Sequence, residues 1–124
     1  MIEIDDGELD VLLDEDPGGP VVMLNLLRFR PDGGRERYQQ YVEALGAQIH
    51  DRYGLTVDYL GAGGRALVAE DGQAWDMVVL VRYPSRTAFA DMVRDPDYQA
   101  VAHLRAEALL ETVLQPTVSL AVAA

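Results

Sequence analysis

Alternating blocks of apolar and polar residues divide the chain into consecutive strands and helices. The clearest block spans residues 74–105, where the all-apolar, valine-rich run 77–81 is typical of a strand buried on both faces. Pro84 ends this strand, because proline has no amide hydrogen for a neighbouring strand. Ser85 and Asp95-Pro96 then provide the side chains and the proline that begin helices, so the sequence predicts two consecutive helical segments.

A second strand–helix unit is predicted ahead of this block. Residues 21–29 are apolar at almost every position except Asn25, which again indicates a strand buried on both faces. Residues 35–53 repeat apolar side chains at helical spacing, and Gly54 is the type of residue that ends a helix. A strand and a long helix are therefore expected here.

Weaker patterns complete the predicted order of elements. Residues 6–14 predict a short helix. Residues 56–69 predict a strand that the hairpin turn Asp71-Gly72 joins to the strand at 75–83. The helix after Asp95-Pro96 is predicted to continue to about Leu114, and residues 117–123 are predicted to form a last strand. The order is β-α-β-β-α-β behind a short N-terminal helix.

This order of elements predicts an α+β, ferredoxin-like fold in a single domain spanning residues 1–124. Right-handed crossovers give a four-stranded antiparallel sheet with both helical layers on one face and the first and third strands at its centre. Those two strands are apolar on both faces, so the other face would expose large apolar side chains in a monomer. A second copy of the same sheet would cover them, and we therefore expect a homodimer.

Composition narrows the classes of function. The formal net charge is −11, which disfavours nucleic acid and anionic membranes as partners. All ten basic residues are arginine and cysteine is absent, which excludes lysine Schiff bases and thiolate chemistry. No apolar run is long enough to span a membrane and the acidic N-terminus lacks signal-peptide features, so a cytoplasmic location is expected. The two histidines are far apart, and we expect no metal and no cofactor.

Three polar residues interrupt or flank apolar patterns and are the candidate catalytic residues. Asn25 lies within a strand and is placed on the sheet face opposite the helices. There its amide either binds a ligand oxygen in a cavity between the sheet and its partner or makes a structural hydrogen bond. Arg105 lies on the apolar side of its helix and either pairs with a carboxylate such as Asp76 or faces an anionic ligand. His103 flanks that side and is either a general base or a surface histidine.

Five further residues are candidate substrate-binding groups. The aromatic side chains of Tyr38, Tyr41 and Trp75 either line a pocket for a planar ligand or belong to the core. Asp76 and Arg82 share one face of their strand by its two-residue period. They are either polar groups at the two ends of a cavity or surface residues at the strand ends.

Several of these segments resemble a known family. Residues 25–29 (NLLRF), the Tyr38-x-x-Tyr41 helix, residues 75–89 (WDMVVLVRYPSRTAF) and the DPDYQAV segment that precedes Arg105 are similar to the domain of unknown function 1330 family. This family belongs to the dimeric α/β-barrel superfamily. The resemblance implies a ferredoxin-like dimer and no general activity, since the superfamily includes cofactor-independent monooxygenases, cyclases, isomerases and heme-handling enzymes.

Two functions remain open from the sequence. The first is a small-molecule enzyme that performs proton transfer in an isomerisation, cyclisation or oxygenation, with Asn25 holding the substrate oxygen, Arg105 stabilising negative charge and His103 moving the proton. The second is a non-catalytic small-ligand-binding or dimeric assembly module. Heme binding is a third hypothesis that needs His50 or His103 as axial ligand, and we expect no heme binding.

Overall fold

A computed structural model of the chain describes residues 2–120, except for the side chain of Gln48. The predicted order of elements is confirmed, including the two consecutive helices after the third strand. The elements are α1 (Asp6–Asp14), β1 (Val21–Phe29), α2 (Gly34–Gln48), β2 (Thr56–Ala62), β3 (Met77–Tyr83), α3 (Arg86–Arg94), α4 (Pro96–Ala108) and β4 (Leu109–Thr117).

The four strands form one antiparallel sheet in the order β2-β3-β1-β4. The predicted ferredoxin-like fold and the central position of β1 and β3 are therefore confirmed. Burial alternates along β1, with the odd-numbered residues buried under the helices and the even-numbered residues only half-buried. Asn25 lies in the middle of β1, opposite Val79 of β3 and Leu114 of β4.

The two predicted helix starts around Tyr83–Asp95 have the expected caps. The Ser85 hydroxyl accepts a hydrogen bond from the Ala88 amide at 3.0 Å and begins α3. The Asp95 carboxylate accepts one from the Asp97 amide at 2.8 Å, and Pro96 occupies the first position of α4. These caps satisfy amides that have no partner within the helix.

The predicted C-terminal end of α2 is wrong by several residues. The helix ends at Gln48, and the following residues form turns up to Gly54, whose φ of +69° is a turn conformation rather than the helix cap. Ile49 is fully buried directly after the helix. Ile49 continues the apolar pattern beyond the end of the helix, and for this reason the sequence predicts a helix that is too long.

The prediction for the C-terminal region is also wrong. Residues 109–114 belong to β4 rather than to α4, and the last strand ends at Thr117 instead of beginning there. Leu109 already has extended dihedral angles directly after the helix, so no glycine or proline marks the change. Pairing with β1 from Val22 to Phe29 decides the conformation of this segment. Residues 121–123 of the predicted strand lie outside the described residues.

The connection between β2 and β3 is longer than predicted. β2 ends at Ala62 and its bulge lies between Val57 and Tyr59, while Asp71-Gly72 belongs to a long loop instead of a tight hairpin. The Arg28 side chain holds this loop, because its Nε donates to the Ala74 carbonyl at 3.0 Å. A long-range contact, which no local pattern records, therefore fixes the loop.

The sheet face opposite the helices is apolar at its centre and charged at its ends. Half-buried leucine and valine side chains of β1 and β3 occupy the centre, namely Val22, Leu24, Leu26, Val78 and Leu80. Arg28 pairs with Glu111 at 2.7 Å at one end, and Arg82 pairs with Asp58 at 2.8 Å at the other. We call this surface the open sheet face. Within residues 2–120, no helix is both long and apolar enough to cross a membrane.

Candidate functional site

A cavity of about 360 Å³ lies between the helix side of the sheet and α2, α3 and α4. Its walls are mostly apolar and include Met23, Val79, Leu45, Met92 and Ala102. The N-terminal residues Ile2 to Ile4 lie along one side of it. A chamber of this size and polarity suits a small, largely apolar ligand.

Asn25 and Arg105 meet inside this cavity. The Arg105 Nη2 donates to the Asn25 Oδ1 at 3.3 Å, and both residues are buried, with 8% and 7% of their surfaces exposed. The Asn25 Nδ2 donates to the carbonyls of Met23 at 3.3 Å and Val79 at 3.5 Å. The sequence had suggested that Asn25 belongs to the face opposite the helices. That placement is wrong, because Asn25 is one of the odd-numbered, helix-facing residues of β1.

Arg105 has no carboxylate partner among the described residues. Its other contacts are the Ile2 carbonyl at 3.4 Å and the Thr112 hydroxyl at 3.4 Å. The predicted alternative of an ion pair with Asp76 is wrong, since the Asp76 carboxylate accepts the Phe29 amide at 2.9 Å. Charge-assisted hydrogen bonds are typically about 2.7–2.9 Å long. The guanidinium is thus bound only by neutral oxygens at longer distances.

A row of tyrosines forms the wall beside Arg105. The rings of Tyr38 and Tyr41 lie 5.6 Å apart, and the Tyr41 and Tyr98 hydroxyls are 3.0 Å apart. Burial raises the pKa of Tyr38 and raises that of Tyr41 well above its usual value. Both phenols are therefore protonated near neutral pH and act as hydrogen-bond donors.

Comparison with known proteins assigns the chain to a family. The family model described as Domain of unknown function (DUF1330) matches residues 33–114, a span that includes α2, Tyr98 and Arg105. The chain belongs to the DUF1330 family. The resemblance noted in the sequence is thereby confirmed. No curated protein matches the sequence.

Solved structures show the same fold. RPA0582 from Rhodopseudomonas palustris, a protein of unknown function, has 30% identity and a TM-score of 0.88, with 97% of each chain covered. A dimeric ferredoxin-like protein of unknown function from Jannaschia sp. CCS1 has 14% identity and a TM-score of 0.61, covering 82% of this chain and 100% of its own. A candidate antibiotic biosynthesis monooxygenase from Bacteroides thetaiotaomicron has 17% identity and a TM-score of 0.58, covering 82% and 90%. The last two share only the fold with this chain.

The histidines of this DUF1330 chain lie at the edge of the cavity. His103 is exposed on α4 and contributes to the cavity rim, two residues before the buried Arg105. His50 also borders the cavity, and its Nδ1 lies 3.3 Å from the Asp51 carboxylate. Neither ring makes a described hydrogen bond with Asn25 or Arg105, the two residues that form the polar centre.

Three of the predicted substrate-binding residues lie elsewhere. Trp75 packs under the guanidinium of Arg28 at one end of the open sheet face, with 4.9 Å between the guanidinium carbon and the ring centre. Asp76 binds the backbone of β1, as described above. Arg82 is exposed and paired with Asp58 at the opposite end. The structure brings Tyr38 and Tyr41 to the cavity but does not bring these three residues there.

Two contacts of the DUF1330 site were missed in the sequence. Thr112 contacts Arg105 and also donates to the Leu26 carbonyl at 2.8 Å, but its segment had been assigned to a helix. Ile2 contacts Arg105 through its backbone carbonyl, which every residue type has. A correct assignment of β4 would have identified Thr112, because the strand's alternation places it on the helix side with Leu114.

The described residues offer little for a metal ion. Within residues 2–120 there is no group of three or more histidine or carboxylate side chains close enough to bind one. For a cofactor, the polar groups inside the cavity are an amide, a guanidinium and phenols, which donate hydrogen bonds to oxygen atoms. The chemistry that this lining favours is the binding of a carbonyl or anionic oxygen.

Proposed function

We propose that this chain is a small-molecule enzyme that performs proton-transfer chemistry in the cavity between the sheet and the helices. The reaction class is isomerisation, cyclisation or cofactor-independent oxygenation of a mostly apolar substrate that bears a carbonyl or acidic hydroxyl group. One observation carries the proposal. The guanidinium of Arg105 is buried in a mostly apolar chamber without a carboxylate partner among the described residues.

The proposed mechanism uses this charge in the transition state. Removing a proton next to a carbonyl moves negative charge onto the oxygen, which becomes an enolate. Arg105 would stabilise that charge. Asn25 would hold the same oxygen through its Nδ2, which would turn from its long contacts with the Met23 and Val79 carbonyls, at 3.3 and 3.5 Å, towards the substrate. Preorganised donors in a site that excludes water stabilise such a charge more strongly than water does.

His103 is the proposed proton acceptor. Imidazole is the side chain that most often moves protons in enzymes, and His103 lies on the same helix as Arg105 at the cavity rim. A base at the rim can exchange the proton with solvent after each turnover. The proposal therefore assigns charge stabilisation to the buried end of the site and proton exchange to its open end.

Deuterium exchange tests this proposal without knowledge of the natural substrate. A panel of small apolar ketones, β-dicarbonyls and phenols would be incubated with the protein in deuterated buffer, and incorporation next to the carbonyl would be followed by NMR. We expect faster exchange for part of the panel, a loss of at least about tenfold in Arg105→Met, and a smaller loss in His103→Ala. Arg82→Met, which removes an exposed arginine outside the cavity, is the matched control.

The alternative function is a non-catalytic ligand-binding module. It is favoured by the distance of both histidines from the polar centre of the cavity. The two functions give different outcomes in the same samples. Ligands that shift NMR signals of cavity residues without exchanging deuterium would support the binding module and refute the enzyme.

We further propose that the protein is a homodimer joined through the open sheet face. The apolar centre of this face lies between charged ends, and two structural relatives of the same fold are described as dimeric. A Leu80→Asp change places a charge at the centre of the face and should dissociate the dimer or unfold the chain. The matched control is Val11→Asp on α1, which is already exposed and lies away from this face.

Sizing with light scattering at micromolar concentration measures the outcome. The wild type and Val11→Asp should give the mass of a dimer, and Leu80→Asp should give a monomer or an unfolded chain. A monomeric wild type at these concentrations would refute the proposal.

A further inference from the structure

We infer that the natural ligand of the cavity is an apolar carboxylic acid, bound as its carboxylate by Arg105. This inference rests on the proposed function and deepens it, because it names the substrate class of the same cavity as an apolar oxo acid. The carboxylate of such an acid would bind part of the Arg105 guanidinium, and the remaining N–H donors would face the carbonyl oxygen that becomes the enolate. The observation behind this inference is that the Arg105 guanidinium is buried and that its hydrogen-bond partners within residues 2–120 are all neutral oxygens.

The first argument is charge balance. A guanidinium remains protonated in proteins, so Arg105 brings a full positive charge into the interior. Its described contacts are the Asn25 side chain, the Thr112 hydroxyl and the Ile2 carbonyl, at 3.3–3.4 Å. A buried charge without a counter-ion is costly, and a ligand anion would remove that cost. A neutral ketone would leave the positive charge of Arg105 without a counter-ion when it is bound.

The second argument is the balance of donors and acceptors. Arg105 has donors only, and the raised pKa values keep Tyr38 and Tyr41 protonated. Glu3 is the acidic residue that borders the cavity, and it is exposed at the mouth, where water solvates it. The N–H donors of Arg105 outnumber its described acceptors, which are the Ile2, Asn25 and Thr112 oxygens, so the ligand that satisfies the remaining donors must be rich in acceptors. A carboxylate offers two oxygens and about four acceptor positions.

The third argument is shape. The planar guanidinium presents paired donors that match the two oxygens of a carboxylate. The Ile2 carbonyl, half-exposed in the N-terminal segment, now accepts from one of these nitrogens at a long 3.4 Å. A carboxylate can take its place and make shorter, charge-assisted contacts. The apolar walls and the volume of about 360 Å³ then select a small hydrocarbon body.

The test compares two probes of nearly the same shape, one a carboxylate and the other its neutral amide. Isothermal titration would measure 3-phenylpropionate and the neutral 3-phenylpropionamide against the full chain. We expect the carboxylate to bind at least about tenfold more tightly, which is ~1.4 kcal/mol. This preference should disappear in Arg105→Met and persist in Arg82→Met.

A second variant keeps the test informative if Arg105→Met does not fold. Asn25→Asp introduces a carboxylate beside Arg105, so it should abolish the preference for 3-phenylpropionate while 3-phenylpropionamide still binds. Equal affinity for both probes in the wild type, no binding of the carboxylate at millimolar concentrations, or a preference that survives both variants would overturn the inference.

The two proposals fail separately. Carboxylate binding without deuterium exchange in any oxo acid would refute the enzyme and leave the assignment of the ligand class intact. Exchange in neutral ketones, with no preference for carboxylates, would refute the ligand class and leave the enzyme intact.

Discussion

Replacing Asn25 by aspartate should stabilise the protein. The side chain at this position lies 3.3 Å from the Arg105 Nη2 and is almost fully buried, so the introduced carboxylate would face a guanidinium that has no anionic partner among the described residues. Aspartate has nearly the same shape as asparagine, and no repacking of the core is needed. The change therefore adds a charge and removes the Nδ2 donor without altering the shape of the side chain.

The magnitude follows from opposing contributions. Two unit charges separated by 3.3 Å attract each other by about 5 kcal/mol at an effective dielectric constant of about 20. Burying the new carboxylate costs a few kcal/mol, whereas the cost of burying Arg105 is already present in the wild type. The two long amide contacts to the Met23 and Val79 carbonyls are lost, at a cost of about 1 kcal/mol. A net gain of roughly 1 kcal/mol remains, which corresponds to a rise in Tm of about 4 °C.

The gain should depend on pH with a definite sign. The guanidinium lowers the folded-state pKa of the introduced carboxylate below its unfolded value of about 3.9. Its contribution is then fully present above that value and is lost as the pH falls through the lower folded-state pKa. Thermal unfolding of the wild type and Asn25→Asp at pH 7 and at pH 3 measures the difference.

A double-mutant cycle decides the interpretation. Asn25→Asp would be measured in the wild type and in Arg105→Met, and the coupling free energy would be the difference. We expect a favourable coupling of about 2–4 kcal/mol, because the charge pair exists only in the presence of Arg105. A coupling below about 0.5 kcal/mol, within the error of additivity, would show that the guanidinium is already neutralised and would refute the charge argument.

Three further predictions concern other parts of the fold. Tyr41→Phe removes the 3.0 Å hydrogen bond to Tyr98 and should cost about 1 kcal/mol in urea unfolding. A tyrosine hydroxyl, a backbone amide and an arginine hold the pKa of Asp95 at about 2, so stability should fall between about pH 4 and pH 2, and Asp95→Asn should flatten this dependence. Gly63→Ala should lower Tm, because a Cβ there would collide with the Trp75 backbone carbonyl.

Much of the fold is predictable because its signals are local. The strand at residues 21–29 has the predicted bounds, since an apolar run between a proline and a proline-containing turn leaves little choice. Ser85 and Asp95-Pro96 begin their helices as predicted, because a capping side chain acts on amides two or three residues away. Strand ends and helix caps of this kind depend on residues a few positions away, so they can be predicted from the sequence.

The errors occur where distant contacts decide the structure. Residues 109–114 have an apolar spacing that fits a helix, but pairing with β1 makes them a strand. The loop after Ala62 is fixed by Arg28, which precedes it by more than thirty residues. Misplacing β4 also concealed Thr112, whose contact with Arg105 depends on the strand's alternation. Errors in the assignment of elements thus became errors in the site.

The position of Asn25 follows from combining two observations that the sequence offered separately. β1 is apolar on both faces, so its own pattern does not show which face carries the odd-numbered residues. Arg105, however, lies on the apolar side of a helix, and that side must face the sheet. A buried guanidinium needs oxygen acceptors, and Asn25 offers one near the middle of the central strand. Pairing the two polar residues therefore selects the helix side for Asn25 and, with it, the side of the sheet on which the site lies.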